Sequence, residues 1–289
     1  MSDLPQLQIP NLFDVKGKIC LITGGGSGLG EMMATSLVQN GARVIIASRK
    51  EAALKSVADK LNKAGPGKCE YIVADLGAKE GVDKLCEEVK RRTNKLHVLV
   101  NNSGTTWGAH FTDFPEKQGW DRVIATNVKA IFYVTAGLAA LLARDANNID
   151  PGRVINITSI AGLDARADNS VLADPGTGLC VILMNADNAS KAAANHLTKS
   201  LSITLASRFV LCNAIAPGVY PTNMTRRGFE KESENILKTQ PSGRTGTPED
   251  IAGLLLFLVS RAGSHITGNV ISTDGGSLLG GNRGALERL

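Results

Sequence analysis

Short apolar runs alternate with amphipathic ones along nearly the whole chain. "KICLIT" (18–23), "RVIIAS" (43–48), "CEYIVA" (69–74), "LHVLVNN" (96–102), "RVINIT" (153–158), "FVLCNAIAPG" (209–218) and "NVISTDGG" (269–276) are compact runs rich in Val, Ile and Leu. They predict seven strands. Segments with helical spacing lie between them, at 31–41, 50–65, 79–93, about 120–144, 188–206 and 247–260. The last carries Thr247 as N-cap and Pro248 at N1. The strands are almost continuously apolar, as expected of strands covered by helices on both faces. This alternation predicts an α/β fold with a doubly wound parallel sheet.

Two segments break the rhythm. Residues 163–187 have weak periodicity and read as an insert, and residues 219–246 are polar and mixed and read as a small lobe over the sheet edge. The remainder predicts one domain across 1–289, with 1–15 as an N-terminal tail.

Composition narrows the function. The 289 residues are 43% hydrophobic, enough for a large core, and 32 Lys+Arg against 27 Asp+Glu leave a net charge of +5. The basic residues are scattered, which argues against nucleic acid as a partner. The apolar run "AIFYVTAGLAALLA" (130–143) is 14 residues long, too short to span a bilayer, and the N-terminus lacks a basic-then-apolar signal pattern. A cytoplasmic protein with no membrane partner is expected. Cys20, Cys69, Cys86, Cys180 and Cys212 are odd in number and have no metal-type spacing, so they read as reduced, buried thiols, and no metal site is expected.

The first candidate for chemistry is "TGGGSGLG" (23–30), which follows the first strand and opens the first helix. Glycines there let the backbone approach a ligand, and the helix N-terminus offers free N–H groups to a phosphate. Position makes this a dinucleotide site of Rossmann type, carried by Gly24, Ser27, Gly28, Leu29 and Gly30. The second strand ends in Ser48-Arg49-Lys50. An acidic residue there would bind a ribose 2′-hydroxyl, whereas Arg49 and Lys50 suit a 2′-phosphate. NADP(H) is therefore expected over NAD(H).

These motifs recur in a set order: Thr23–Gly30, Asp75-Leu76, "NNSG" (101–104), Asn127 in "TNV", Ser159 in "INITSIAG", Lys191 in "ASK" and "APGVYPT" (216–222). Together, over about 18–276, they resemble the classical short-chain dehydrogenase/reductase family. The loop "SGTTWGAHF" (103–111) is most similar to fungal members and to 3-oxoacyl reductases of the bacterial rhamnolipid pathway. The resemblance implies that Asp75 and Leu76 flank the adenine. Asn101, Ser103, Gly104, Pro217 and Gly218 would line the cofactor, and Thr222 would meet the nicotinamide carboxamide. Ser159 would polarise a substrate carbonyl, Lys191 would hold the nicotinamide ribose, and Asn127 would anchor a water. The implied protein is an NADP(H)-dependent oxidoreductase interconverting a small-molecule ketone, 3-oxoacyl-like or a secondary-metabolite carbonyl, and a secondary alcohol. It would be a homodimer or homotetramer built on the helices near 120–144 and 188–206.

One departure stands at the centre of this pattern. The family places a tyrosine four positions before Lys191, and this chain has Asp187. The aspartate carboxylate ends roughly 4 Å short of a phenol oxygen. Lys191 and an oxidised nicotinamide are expected to press its pKa below the usual value of about 4, leaving a standing anion. Ser159 and Lys191 are also 32 positions apart, nearly twice the family's separation, with the excess in "DARADNSVLADPGTGLCVILMNA". Two readings fit. The insert reshapes the pocket and brings Asp164, Asp168 or Asp174 to the substrate, or a retained intron has displaced a true tyrosine. His110 and Trp107 are further candidates for the pocket wall. With the tyrosine absent, a cofactor-binding protein without turnover, or a non-redox cyclase or lyase, stands as the alternative function.

Overall fold

The computed structural model describes residues 7–109, 111–164, 185–223, 225 and 240–280. After a one-turn helix α1 (Ile9–Leu12) come strand β1 (Ile19–Thr23), helix α2 (Gly28–Gln39), β2 (Arg43–Ser48), α3 (Glu51–Leu61), β3 (Lys68–Val73) and α4 (Lys79–Arg92). Then follow β4 (Val98–Asn101), a long helical run α5 (Glu116–Ala143), β5 (Gly152–Ile157), α6 (Asn185–Ala206), β6 (Val210–Pro217), α7 (Pro248–Val259) and β7 (Val270–Thr273). The seven strands form one sheet in the order β3-β2-β1-β4-β5-β6-β7, and every pairing is parallel.

Successive strand residues face opposite sides of a sheet, so an all-apolar strand serves two cores at once. In β1, Cys20 and Ile22 join a core with Met33 and Leu37 of α2, Leu54 and Leu61 of α3, and Ile251 and Leu255 of α7. Leu21, between them, joins a second core with Leu85 of α4, Val134 and Leu138 of α5, and Leu201 of α6. The four described cysteines are free and buried, and burial pushes their thiols above the ordinary value, Cys20 to about 12.

The strands lie where the apolar runs predict them. Helix α5 begins at Glu116 rather than near Trp120, and two stretches of it, Glu116–Asp121 and Ala125–Lys129, are π-helical. By length and composition α5 is long and apolar enough to cross a membrane. Its Ile131, Val134, Leu138 and Leu142 are nevertheless at most 4% exposed, packed against the sheet. Helix α7 starts as expected, with Asp250 accepting the Thr247 N–H at 2.8 Å in a capping box.

At the N-terminal end of the sheet, Arg153 is 1% exposed and bonds Asp150 Oδ1 and Ser260 O, both at 3.0 Å. Beside it, His97 Nδ1 accepts the Ile19 N–H at 3.0 Å. Burial first, then Lys18 and Lys95, depresses the His97 pKa to about 4. Lys18 and Arg153 are held by Asp150, whose charge works weakly in the opposite sense. The folded state therefore favours neutral imidazole, while the unfolded chain protonates near 6.5. Stability is expected to be intact above about pH 6.5 and to decline as pH falls toward 4. His97→Asn preserves an acceptor for Ile19 and should flatten that part of the melting-temperature profile relative to the unmodified protein.

Candidate active site

Strand order reverses at β1, whose neighbours are β2 and β4, and the loops leaving β1 and β4 diverge there. A crevice at the carboxyl ends of such strands is where open α/β sheets bind ligands. The glycine-rich turn lies at this point, with Gly24 and Gly28 at φ of 68° and 56°, in the left-handed region. A Cβ on Gly30 would stand 2.2 Å from Gly24 O. The turn thus has no room for a side chain at Gly30, and the first N–H groups of α2 have no acceptor within their own helix.

The two lips of the crevice are stitched together. Thr23 Oγ1 accepts the backbone N–H groups of Asn102 and Ser103, each at 3.0 Å, and Asn102 Nδ2 donates to Thr23 O at 3.0 Å and Gly24 O at 3.2 Å. Asn102 lies within the "NNSG" motif, yet its side-chain role is visible only once its partners 79 residues away are known. Ser48 lies beside the turn, since a Cβ on Gly26 would meet its Oγ at 3.2 Å, and Arg49 and Lys50 stand exposed at the end of β2. This donor-lined, glycine-floored cradle with two cations at its rim suits a phosphorylated dinucleotide.

Farther along the crevice four elements converge. A Cβ on Gly104 would lie 3.5 Å from both Asn127 Oδ1 and Lys191 Nζ. Lys191 Nζ donates to Ile157 O at 3.3 Å, tying α6 to the end of β5. A Cβ on Gly162 would strike the Lys191 carbonyl carbon at 2.5 Å, so the turn after Ser159 lies directly on α6. Ser159 Oγ accepts the Ala161 N–H at 3.1 Å, which leaves its own hydrogen to donate. Asn127 sits in the second π stretch of α5, a feature frequent at functional sites.

Asn127 Oδ1 accepts Thr105 N–H at 2.9 Å, and its Nδ2 reaches Thr105 O at 3.0 Å, Asp187 Oδ1 at 3.0 Å and Ser190 Oγ at 2.9 Å. Ser190 in turn donates to Asp187 O at 2.7 Å. Ser190 stands inside the "ASK" motif, yet the motif singles out Lys191 and does not show this role of its serine. Burial, the largest influence, raises the Asp187 pKa, against the opposing effects of Lys191 and the Asn127 hydrogen bond. For the chain by itself the expectation of a depressed value is corrected: desolvation outweighs Lys191, the cation that acts on the carboxyl among the described residues. Burial likewise lowers the Lys191 pKa, and Asp187 opposes it.

Several expected site residues stand differently. The Asn101 side chain turns inward, donating to Thr135 Oγ1 at 3.1 Å and Asn156 Oδ1 at 2.9 Å, and Leu76 is 6% exposed within the core. Neither side chain faces the crevice. Asp75 Oδ1 accepts the Gly77 N–H at 3.0 Å and shapes the turn after β3. Gly218 follows Pro217 at the end of β6, and its N–H donates to Thr273 O at 3.0 Å. Thr222 lies against the phosphate turn, where a Cβ on Gly28 would meet it at 3.3 Å. Trp107 packs toward Gly119. His110, Asp168, Asp174, most of the 163–187 insert and Phe229 and Ile236 of the lobe lie outside the described residues.

Comparison with known proteins gives a match to the family described as enoyl-(acyl carrier protein) reductase over residues 24–277. The chain is 37% identical over 270 residues to the rhamnolipids biosynthesis 3-oxoacyl-[acyl-carrier-protein] reductase of Pseudomonas aeruginosa, covering 91% of this chain and 97% of that one. It is 30% identical over 301 residues to the short-chain dehydrogenase/reductase PhomF of Diaporthe leptostromiformis, covering 96% and 97%. Its fold matches the Pseudomonas aeruginosa RhlG/NADP active-site complex with a TM-score of 0.84 at 37% identity, over 93% of this chain and 99% of that chain.

Proposed function

This chain belongs to the short-chain dehydrogenase/reductase family, and from the geometry of its crevice we propose that it uses NADP(H) to interconvert a ketone and a secondary alcohol. It is an oxidoreductase of that type, and the similar Pseudomonas structure is a complex with NADP. The observation that carries the reading is the convergence of Gly104, Asn127 and Lys191, with Ser159 brought alongside by Gly162, at one end of a glycine-floored cradle.

When bound, the cofactor supplies or accepts a hydride. The chain's own residues do the rest. Backbone N–H groups at Gly28, Leu29 and Gly30 hold the diphosphate. Ser159 donates its free hydrogen to the substrate oxygen and draws charge onto it. Lys191 holds the ribose and, with Asn127 fastened to Thr105, orders the proton-bearing side of the pocket. The 3-oxoacyl relative supports an acyl-chain ketone as substrate. Phe132, Tyr133 and Ile203, exposed on α5 and α6, support assembly of two or four copies.

The test is NADPH consumption across a panel of ketones and 3-oxoacyl thioesters, beside NADPH titration of the same protein. Binding without turnover on any member would identify a cofactor-binding protein instead. Arg49→Ala/Lys50→Ala is expected to weaken NADPH by about tenfold or more, the loss of a charge-assisted phosphate contact, while NADH is unaffected. Fluorescence titration with both cofactors checks this.

A further inference from the structure

The carboxyl of Asp187 is too well placed to be a mere vestige. It lies one helical turn before Lys191, so both side chains face the same side of α6. Its Oδ1 is clasped by Asn127 from across the crevice, and Ser190 bonds both Asn127 and the Asp187 backbone carbonyl. Among the described residues, the groups that act on Asp187 are Asn127 of α5 and Ser190 and Lys191 of α6; Asn127 is in turn fixed by Thr105 of the loop after β4, and Lys191 by the Ile157 carbonyl. Lys191 is the one charged group among these.

Resting on the oxidoreductase reading, we infer that Asp187 is the proton source for ketone reduction, acting through one bridging water. The shortfall of roughly 4 Å relative to a phenol oxygen is about what one hydrogen-bonded water bridges. In the step, hydride from the reduced cofactor forms a C–H bond at the carbonyl carbon as the C=O π bond breaks. The oxygen takes a proton from the water, the water takes the Asp187 proton, and the carboxylate is reprotonated from solvent. With Oδ1 accepting from Asn127, Oδ2 is the atom that carries the acid proton. Burial favours the neutral acid. A reduced nicotinamide is uncharged, so in this direction it adds nothing to the opposing effects of Lys191 and the Asn127 hydrogen bond.

Three proteins test it: unmodified, Asp187→Asn and Asp187→Glu. Asp187→Asn retains an acceptor for Asn127 and should lose about 10²-fold or more in kcat with NADPH affinity unchanged, while Asp187→Glu retains activity. The kcat of the unmodified protein should fall as pH rises through the Asp187 pKa, and this limb should vanish in Asp187→Asn. In the cofactor-free protein, carbon-13 titration of the Asp187 carboxyl should give a pKa above the usual aspartate range. Unchanged kcat in Asp187→Asn, or a carboxyl titrating at or below the usual range, overturns the inference and leaves the oxidoreductase reading in place. An unmodified protein that binds NADPH but turns over no ketone overturns both.

Discussion

Lys191→Ala is expected to cut ketone-dependent NADPH oxidation by about 10²–10³-fold, the scale seen when one preorganised donor is removed from a reacting centre. The ammonium is held by Ile157 O at 3.3 Å and faces the open side of Gly104. Its loss removes a cation from the crevice and leaves Asp187 with burial and no counter-charge, so the carboxyl pKa climbs further. Lys199→Ala, on an exposed position of the same helix, should leave activity and melting temperature unchanged. Steady-state kinetics on both variants, with circular dichroism to show that each is folded, is the check. Full activity in Lys191→Ala would mean that the chemistry happens elsewhere.

Gly30→Ala should be comparably damaging, through geometry rather than charge. The added methyl carbon would lie 2.2 Å from Gly24 O and 2.6 Å from Asn102 Nδ2, neither of which can retreat without breaking the bonds between the lips of the crevice. Overpacking of this kind costs about 1–3 kcal/mol. NADPH affinity should fall at least about tenfold, because the displaced backbone is the surface that meets the phosphates. Gly253→Ala supplies the contrast. That glycine lies mid-helix in α7 with nothing within 4 Å of its Cβ position, so alanine should stabilise by about 0.5–1 kcal/mol. Thermal melts and cofactor titration of the two variants separate a crowded glycine from a merely permissive one.

The sheet is legible in the sequence because burial on both faces forces each strand to be apolar throughout, and glycines or polar residues end each run. Helix boundaries are less legible. The start of α5 at Glu116 and its π stretches depend on packing against neighbours, and "EKQG" has no apolar rhythm to announce them. Site motifs locate Ser159, Asn127 and Lys191, but not their partners. Asn101 and Asn102 are adjacent and chemically identical, yet one faces the core and the other clamps the glycine turn. Strand alternation requires that they differ, and only the paired strand shows which faces which way. The direction of the Asp187 shift is missed for a related reason: neighbouring charges can be read from a motif, whereas desolvation belongs to the assembled corner. Sequencing the message across codons 159–191 decides between the two readings of the insert.

The bonds from Thr23 and Asn102 bear on how the protein meets its ligand. A mouth whose jaws are already joined before anything enters does not have to be assembled by the incoming molecule. Little ordering entropy is then spent on binding there, and association at this end should resemble a key entering a cut lock rather than a hand closing.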